Sequence, residues 1–93
     1  MRLRHKVDLT QSAIVEALRR AGCTVRDTSM VGQGFPDLTV GRSGLNYLIE
    51  CKSARGTLTP DEREFIATWR GDVHICYTPE DALLAVGAVA PQK

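Results

Sequence analysis

Two acidic residues and a lysine lie close together in the segment GFPDLTVGRSGLNYLIECKSA, which covers residues 34–54. These residues are Asp37, Glu50 and Lys52. Carboxylate oxygens are the ligands that Mg²⁺ and Mn²⁺ prefer, and a lysine beside them can hold a phosphate oxygen or orient a water molecule. The residue types therefore suit a metal site that acts on a phosphate ester. The alternative is a hairpin whose charges are simply solvated, with the lysine bridging the two acids.

The segment around these acids predicts a β-hairpin, because two β-rich runs, PDLTV and LNYLIECKS, are joined by Gly-Arg-Ser-Gly. Side chains alternate between the two faces of a strand, so Glu50 and Lys52 share one face and Asp37 lies on the matching face of the first run. The opposite face is apolar and is expected to face the core. It carries Leu38, Val40, Tyr47, Ile49 and Cys51.

Two registers of this hairpin are open. If Ser43-Gly44 is a two-residue turn, Asp37 lies directly across from Glu50, with the two β-carbons ~4.5–5.5 Å apart. A four-residue turn places Asp37 opposite Leu48 and makes Glu50 its diagonal neighbour on the same face. Both registers bring the carboxylates together. Because like charges that face each other destabilise a sheet, a divalent cation would compensate for the pair.

Length and composition set the class of protein. The chain has 93 residues, and we expect a single domain over residues 1–93. A composition of 43% hydrophobic and 25% charged residues excludes a chain that is disordered throughout, and a net charge of +1 excludes a simple polycation. The three cysteines form no CxxC pair, which is typical of reduced thiols in a cytoplasmic protein. No apolar run approaches the ~20 residues that a membrane helix needs.

The elements that would position the hairpin follow the order α-β-β-β-α-β-α, which predicts an α/β or α+β domain with a mixed sheet flanked by helices. The first helix is expected over DLTQSAIVEALRRAG, ending at Gly22, and CTVRDTS predicts a short strand. The apolar stripe of that helix contains Leu9, Ala13, Ile14, Ala17, Leu18 and Ala21.

The helix after the hairpin has the clearest start signal in the chain. In TLTPDEREFIATWRG, Thr59 is the expected N-cap, Pro60 takes the first helical position and Glu62 completes a capping box. DVHICYT predicts a strand, and TPEDALLAVGAV predicts a last helix with the same Thr-Pro start. The buried stripe of the helix after the hairpin is expected to contain Phe65, Ile66 and Trp69.

The order of these motifs resembles a known family. GFPDL followed by IECK is similar to the PD-(D/E)xK nuclease signature, with Asp37 in the PD and Glu50 and Lys52 in the ExK. A preceding helix with a glutamate, and GTLTPDEREF after the ExK, resemble the VRR-NUC branch, whose small stand-alone members occur in phages and bacteria. The resemblance covers the chain from about Thr10 to Val86. It implies a restriction-endonuclease-like α-β-β-β-α-β core and a deoxyribonuclease that depends on Mg²⁺ or Mn²⁺.

The chemistry and the resemblance together assign roles within the hairpin. Asp37 and Glu50 are expected to bind the metal, and the family fold implies the backbone carbonyl of Cys51 as a third ligand. Lys52 would orient or activate the attacking water, or hold the scissile phosphate. Two neighbouring acids raise the pKa of a lysine, which favours a point-charge role over a general-base role.

Two further acids have competing interpretations. Glu16 resembles the helix-borne glutamate that reaches the metal site in this family, and it is counted with the catalytic and metal-binding residues. Its alternative is a surface ion pair with Arg20, one helical turn away. Glu62 stands where relatives often carry glutamine, and a helix cap is the simpler role for it.

Contacts with nucleic acid and with a second protomer complete the expectations. Arg42, Ser53, Arg55 and Arg63 are candidates for binding the DNA backbone, and each has the alternative of a solvated surface residue. The small relatives imply a homodimer with two active sites, suited to branched or Holliday-junction-like DNA. The alternative functions are a non-catalytic nucleic-acid-binding domain on the same scaffold and a structural, partner-binding domain.

Overall fold

The computed structural model describes the backbone of residues 4–89 and the side chains of residues 9–89. The order of helices and strands is the predicted one. The elements are α1 (Arg4–Arg20), β1 (Thr24–Asp27), β2 (Leu38–Arg42), β3 (Leu45–Cys51), α2 (Pro60–Thr68), β4 (His74–Cys76) and α3 (Pro79–Ala85). None of the described helices is long and apolar enough to cross a membrane.

The four strands form a mixed sheet in the order β1-β2-β3-β4. The pairs β1–β2 and β2–β3 are antiparallel, whereas β3 and β4 are parallel. Parallel neighbours need a long crossover, and here α2 lies within the segment that connects them. The strand β3, which carries Glu50, is therefore an inner strand with a paired neighbour on each side.

The hairpin closes with the two-residue turn, the first of the two predicted registers. Arg42 pairs with Leu45, which leaves Ser43 and Gly44 as the turn. Both turn residues have positive φ, 53° at Ser43 and 81° at Gly44. This is the requirement of a type I′ turn, whose twist matches that of the flanking strands.

The core lies between the sheet and the helices α1 and α3, which also contact each other. Ile14 and Leu18 of α1 are fully buried, as predicted. The predicted stripe of α1 is too wide, because Leu9 is 59% exposed and Ala13 and Ala21 are also exposed. Leu38, Val40, Ile49 and Cys51 are buried on the predicted core face, and Tyr47 packs against it half-buried.

The helix α2 begins beside the end of β3, where the Lys52 ammonium lies between Glu50 of β3 and Glu62 of α2. Its capping box is formed as predicted: Thr59 Oγ1 accepts a hydrogen bond from the Glu62 backbone N–H at 3.2 Å, and Glu62 Oε1 accepts from the Thr59 N–H at 2.9 Å. The prediction of a buried stripe was wrong. The structure describes every residue of α2 and none is fully buried, while Trp69, just past the helix, is 45% exposed. Phe65 instead meets Phe35 edge-on and stacks on Trp69, with ring centroids 5.4 and 4.8 Å away.

Candidate active site

Asp37 is fixed between three strands at the start of β2. Its backbone carbonyl accepts a hydrogen bond from the Thr28 N–H, just past β1, at 2.7 Å. Its carboxylate Oδ2 accepts a hydrogen bond from the backbone N–H of Cys51, at the end of β3, at 2.9 Å. Extending the β2–β3 register by one residue from Leu38 and Ile49 places Asp37 opposite Glu50. The two carboxylates therefore meet as the two-residue turn predicts.

Glu50 is buried, with only 2% of its surface exposed. It pairs with Ile75 of β4 on one side and faces Asp37 on the other. Its Oε2 atom has no hydrogen-bond partner within the described part of the chain. Lys52 Nζ lies 3.4 Å from this oxygen, which is close enough for an ion pair but outside hydrogen-bonding geometry. A buried carboxylate oxygen without a hydrogen bond is costly and needs a compensating partner.

Lys52 bridges two acids that come from different elements. Its ammonium lies 2.8 Å from Glu62 Oε1 and 3.4 Å from Glu50 Oε2. The same Glu62 oxygen accepts the capping hydrogen bond from Thr59. Glu62 therefore closes the capping box and also holds the lysine, whereas the sequence favoured the cap alone. The signal was present in the capping box, because an N3 glutamate faces back toward the chain that enters the helix.

Four charged groups meet at this site: Asp37, Glu50, Lys52 and Glu62. The pKa is raised for the first three and lowered for Glu62. Burial, then the charge of Asp37, then contact with Glu62 raise the pKa of Glu50 to about 8. Burial also raises the pKa of Asp37, against the opposing hydrogen bond from the Cys51 N–H. Burial acts to lower the pKa of Lys52, but Glu62 and Glu50 outweigh it, so the pKa of the lysine is raised.

The fourth group, Glu62, is the ionised partner of the lysine. Burial would raise its pKa, but hydrogen bonds from Lys52 and from the Thr59 N–H prevail, so the pKa lies below the ordinary value. The site therefore combines a stable Lys52–Glu62 ion pair with two carboxyl groups that resist ionisation together. Two neighbouring carboxyl groups of this kind ionise more readily when a cation is present.

The donor set suits a hard divalent cation. A Mg²⁺ site typically uses one or two carboxylates and completes its coordination with water and substrate phosphate. Asp37 and Glu50 supply that number, and Glu50 Oε2 accepts no hydrogen bond from the described residues. Among residues 9–89, no cluster of three or more His, Cys, Asp or Glu side chains is arranged around a common point. Oxygen ligands beyond the two carboxylates would therefore come from the backbone, water or substrate.

Glu16 lies apart from these acids in the contacts that the structure describes. Its carboxylate forms an ion pair with Arg20 at 2.8 Å, and its side chain is 66% exposed. The helix α1 runs along β1 so that Gln11 donates a hydrogen bond to Asp27, which pairs with the first residue of β2. The described contact between α1 and this end of β1 is therefore made by Gln11, five residues before Glu16. The ion pair agrees with the alternative given for Glu16, and its metal-binding role stays a prediction.

The four candidate DNA-binding residues fall into two groups. Ser53 and Arg55 lie in the turn directly after the site, and Arg63 is on α2, where its guanidinium donates to a backbone carbonyl of the preceding loop at 3.2 Å. Arg42 lies at the opposite end of the hairpin, ~17 Å from Asp37 at ~3.4 Å per residue. Its guanidinium donates to the Val86 carbonyl at the end of α3 at 3.2 Å. Arg42 therefore has a structural partner, and DNA binding by all four residues stays a prediction.

Comparison with known proteins identifies the fold. A solved structure described as a VRR_NUC domain superposes with a TM-score of 0.66, covering 88% of this chain and 95% of that one. The two sequences are 23% identical over this match. No protein-family model matches the chain, and no curated protein matches it. The predicted resemblance is thus confirmed in three dimensions, and the chain has the fold of a VRR_NUC domain.

Proposed function

We propose that this protein is a metal-dependent nuclease that hydrolyses phosphodiester bonds in DNA. The observation that carries the proposal is Glu50, a buried carboxylate with an oxygen that makes no hydrogen bond in the described residues. Asp37 faces it across the hairpin, and Lys52 lies beside it. A solvated charged hairpin, the simplest alternative, would leave these carboxylates exposed to water. A buried, incompletely partnered pair on a nuclease-family fold is better suited to binding a cation.

Asp37 and Glu50 would hold the metal ion, and the Cys51 carbonyl would serve as a further oxygen ligand. When bound, a Mg²⁺ or Mn²⁺ ion lowers the pKa of a coordinated water and neutralises charge on the phosphate oxygens. The hydrogen bond from the Cys51 N–H to Asp37 Oδ2 fixes that carboxylate and leaves its other oxygen for the ion. Removing either acid should therefore weaken metal binding as well as cleavage.

Lys52 would act as a fixed positive charge on the scissile phosphate. Glu62 and Glu50 raise the pKa of its amine, which keeps it protonated near neutral pH and favours this role over that of a general base. Glu62 holds the ammonium at 2.8 Å while its own position is set by the capping box of α2. The lysine is therefore held in place before a phosphate arrives, which lowers the entropic cost of positioning it.

We extend the proposal to branched DNA bound by a homodimer. The described residues span 33 Å along their longest axis, close to ten base pairs at ~3.4 Å per pair. A single protomer of this size carries one site and has little surface to hold two duplex arms. Two protomers related by a two-fold axis would present two sites to a four-way junction.

The test compares linear, nicked and four-way-junction DNA in Mg²⁺, in Mn²⁺ and in chelator. Wild type, Asp37→Asn and Lys52→Ala are assayed beside Glu64→Gln, a matched control that changes an exposed acid of α2. We expect the wild type to cleave the junction in either metal but not in chelator, and we expect Asp37→Asn and Lys52→Ala not to cleave it in any buffer. Glu64→Gln should cut like the wild type. Cleavage that survives chelation, or that Asp37→Asn and Lys52→Ala both retain, contradicts the mechanism.

Two further outcomes have a definite meaning. If the wild type binds DNA in every buffer and never cuts it, the protein is a non-catalytic nucleic-acid-binding domain. Light scattering coupled to size-exclusion chromatography measures the mass of the particle, which is 10.2 kDa for one protomer. A protein that cuts the junction as a monomer retains the nuclease activity but contradicts the homodimer.

A further inference from the structure

A cavity of about 430 Å³ lies against the first half of β3. It is lined by residues from both faces of the strand: Leu45 and Tyr47 lie on one face, and Asn46 and Leu48 lie on the face that also carries Glu50, because side chains alternate along a strand. Leu48 precedes Glu50 by two residues, a distance of ~6.8 Å along the strand. That distance corresponds to about two stacked nucleotides at ~3.4 Å each. A nucleic-acid strand that is held at the acids and runs along β3 would therefore pass the cavity.

Trp69 lines this cavity and belongs to an aromatic cluster. The Trp69 ring lies parallel to Phe65, with 4.8 Å between ring centroids and an angle of 18°. Phe35 meets Phe65 edge-on at 5.4 Å, and Phe35 precedes Asp37 by two residues. Phe65 supports the indole from one side, while 45% of Trp69 remains exposed. Trp69 is thus connected through Phe65 and Phe35 to the loop that precedes Asp37, a candidate metal ligand.

Gly71 leaves room for the indole at this position. A Cβ atom on Gly71 would lie only 2.9 Å from Trp69 Nε1, closer than side chains normally approach. Gly71 and Trp69 both line the cavity. Any larger residue at position 71 would push the ring away from its present place.

The polar groups of the cavity suit a neutral aromatic ligand. Its described lining contains Asn46, Asp72 and His74 but neither lysine nor arginine. The Asp72 carboxylate repels a phosphate, whereas the Asn46 amide and the His74 ring offer donors and acceptors to the edge of a heterocycle. A flat heterocycle with a polar edge is the chemical description of a nucleobase.

We propose that this cavity is a nucleobase subsite, in which Trp69 stacks on an unpaired base of the strand held at Asp37 and Glu50. The inference rests on the proposed nuclease function and specifies its substrate. A base inside a duplex is already stacked on both faces, so only an unpaired or extruded base can bind here. The substrate class is nucleic acid with an unpaired base within about two nucleotides of the scissile phosphate.

The test uses Trp69 as its own reporter, because it is the only tryptophan in the chain. Three DNA probes are titrated in chelator and again in Ca²⁺, which takes oxygen ligands. They are a fully paired hairpin, the same hairpin with a short single-stranded tail, and that tail built from abasic nucleotides. We expect the tail with bases to quench Trp69 fluorescence and to bind most tightly. The abasic tail has the same phosphates and should quench no more than the paired hairpin.

Variants measure how much the stack contributes. Stacking of a base on an aromatic side chain contributes roughly 5- to 150-fold in affinity, so we expect Trp69→Ala to weaken tail binding about tenfold. Anisotropy of a labelled probe measures this for Trp69→Ala and for Trp69→Phe, which should keep most of the affinity. Tyr77→Ala is the matched control, since Tyr77 is 44% exposed and does not line the cavity. It should bind like the wild type.

The results separate the subsite from the nuclease function. Equal quenching by the two tails, absence of quenching in both buffers, or Trp69→Ala binding the tail as wild type does would each overturn the subsite. Junction cleavage in Mg²⁺ is measured in parallel. Cleavage without base-dependent quenching leaves the nuclease and removes the subsite. Base-dependent quenching without any cleavage supports the subsite and removes the nuclease.

Discussion

Replacing Glu50 with glutamine should stabilise the metal-free protein at neutral pH and above. Glu50 is 2% exposed, and burial, Asp37 and Glu62 raise its pKa from 4.5 to about 8. Between these two values the folded protein keeps a proton on Glu50 that the unfolded chain has lost. The folded state therefore binds more protons, and the free energy of unfolding falls as pH rises through this window. Glutamine has the same shape and no charge, so it removes this dependence.

The magnitude follows from the shift. A pH of 7 lies about 2.5 units above the pKa of 4.5 that Glu50 has in the unfolded chain. At 1.36 kcal/mol per unit, ionisation of Glu50 on unfolding therefore lowers the free energy of unfolding by about 3 kcal/mol. The amide loses its contact with the Lys52 ammonium, but Lys52 retains Glu62 at 2.8 Å, so little of this gain is offset. We expect Glu50→Gln to exceed the wild type by up to about 3 kcal/mol at pH 7, and by almost nothing at pH 4.5. In a domain of this size that is a rise in melting temperature on the order of 10 °C.

Urea denaturation in chelator at pH 5, 6, 7 and 8 measures this directly. The control is Glu64→Gln, which removes an exposed acid and should follow the wild type at every pH. Added Mg²⁺ or Mn²⁺ should stabilise the wild type more at pH 8 than at pH 6, because protons compete for the same oxygens, and should stabilise Glu50→Gln much less. If Glu50→Gln matches the wild type across this range, or is less stable at pH 8, the account of Glu50 as a buried, reluctantly ionised acid is wrong.

Three other changes test separate contacts. Gly34→Ala should lower the free energy of unfolding by more than ~2 kcal/mol, because Gly34 has a φ of 78° and a Cβ there would clash with a backbone carbonyl at the start of α2. Thermal melts measure the loss. The control is Gly32→Ala, where φ is also positive but the added Cβ meets no atom within 4 Å, so the difference between the two variants isolates the clash. Arg42→Ala should cost ~1–3 kcal/mol by removing the charged hydrogen bond to the Val86 carbonyl, and Arg42→Lys should recover part of it in urea melts. Glu62→Gln keeps an acceptor for the helix cap but removes a charge that raises the pKa of Glu50. The free energy of unfolding should therefore fall less steeply between pH 5 and 8 than in the wild type. An unchanged slope would show that Glu62 does not influence the titration of Glu50.

Local patterns predicted the hairpin and the starts of the last two helices. The turn at Ser43-Gly44 fixes the register within a few residues, and strand alternation then sets the face of Asp37 and Glu50. The capping boxes are equally local, since each is closed by residues three positions apart. These features need no knowledge of distant parts of the chain, so the sequence predicted the shared face of Asp37 and Glu50 and the starts of both helices. It left two turn lengths open, and the structure shows the shorter one.

Features that depend on what covers a surface were not predictable in this way. Periodicity placed Phe65 and Trp69 on one face of α2, but only the structure shows that no described residue of that helix is buried and that Trp69 is 45% exposed. Leu9 shares the apolar stripe of α1 and is 59% exposed. The ion pair between Lys52 and Glu62 joins two elements across a loop, and its geometry depends on how that loop closes.

The burial of Glu50 has two opposite consequences for the site. Only 2% of its surface is exposed, so little water solvates the carboxylate, and its Oε2 atom makes no hydrogen bond within the described residues. The same burial that destabilises the ionised, metal-free protein strengthens the attraction between Glu50 and a cation, because charges interact more strongly where the dielectric constant is low. The free energy of unfolding that the ionised Glu50 costs without metal should therefore return as tighter metal binding. Comparing the stability of Glu50→Gln and wild type across the pH range, with and without metal, measures both quantities.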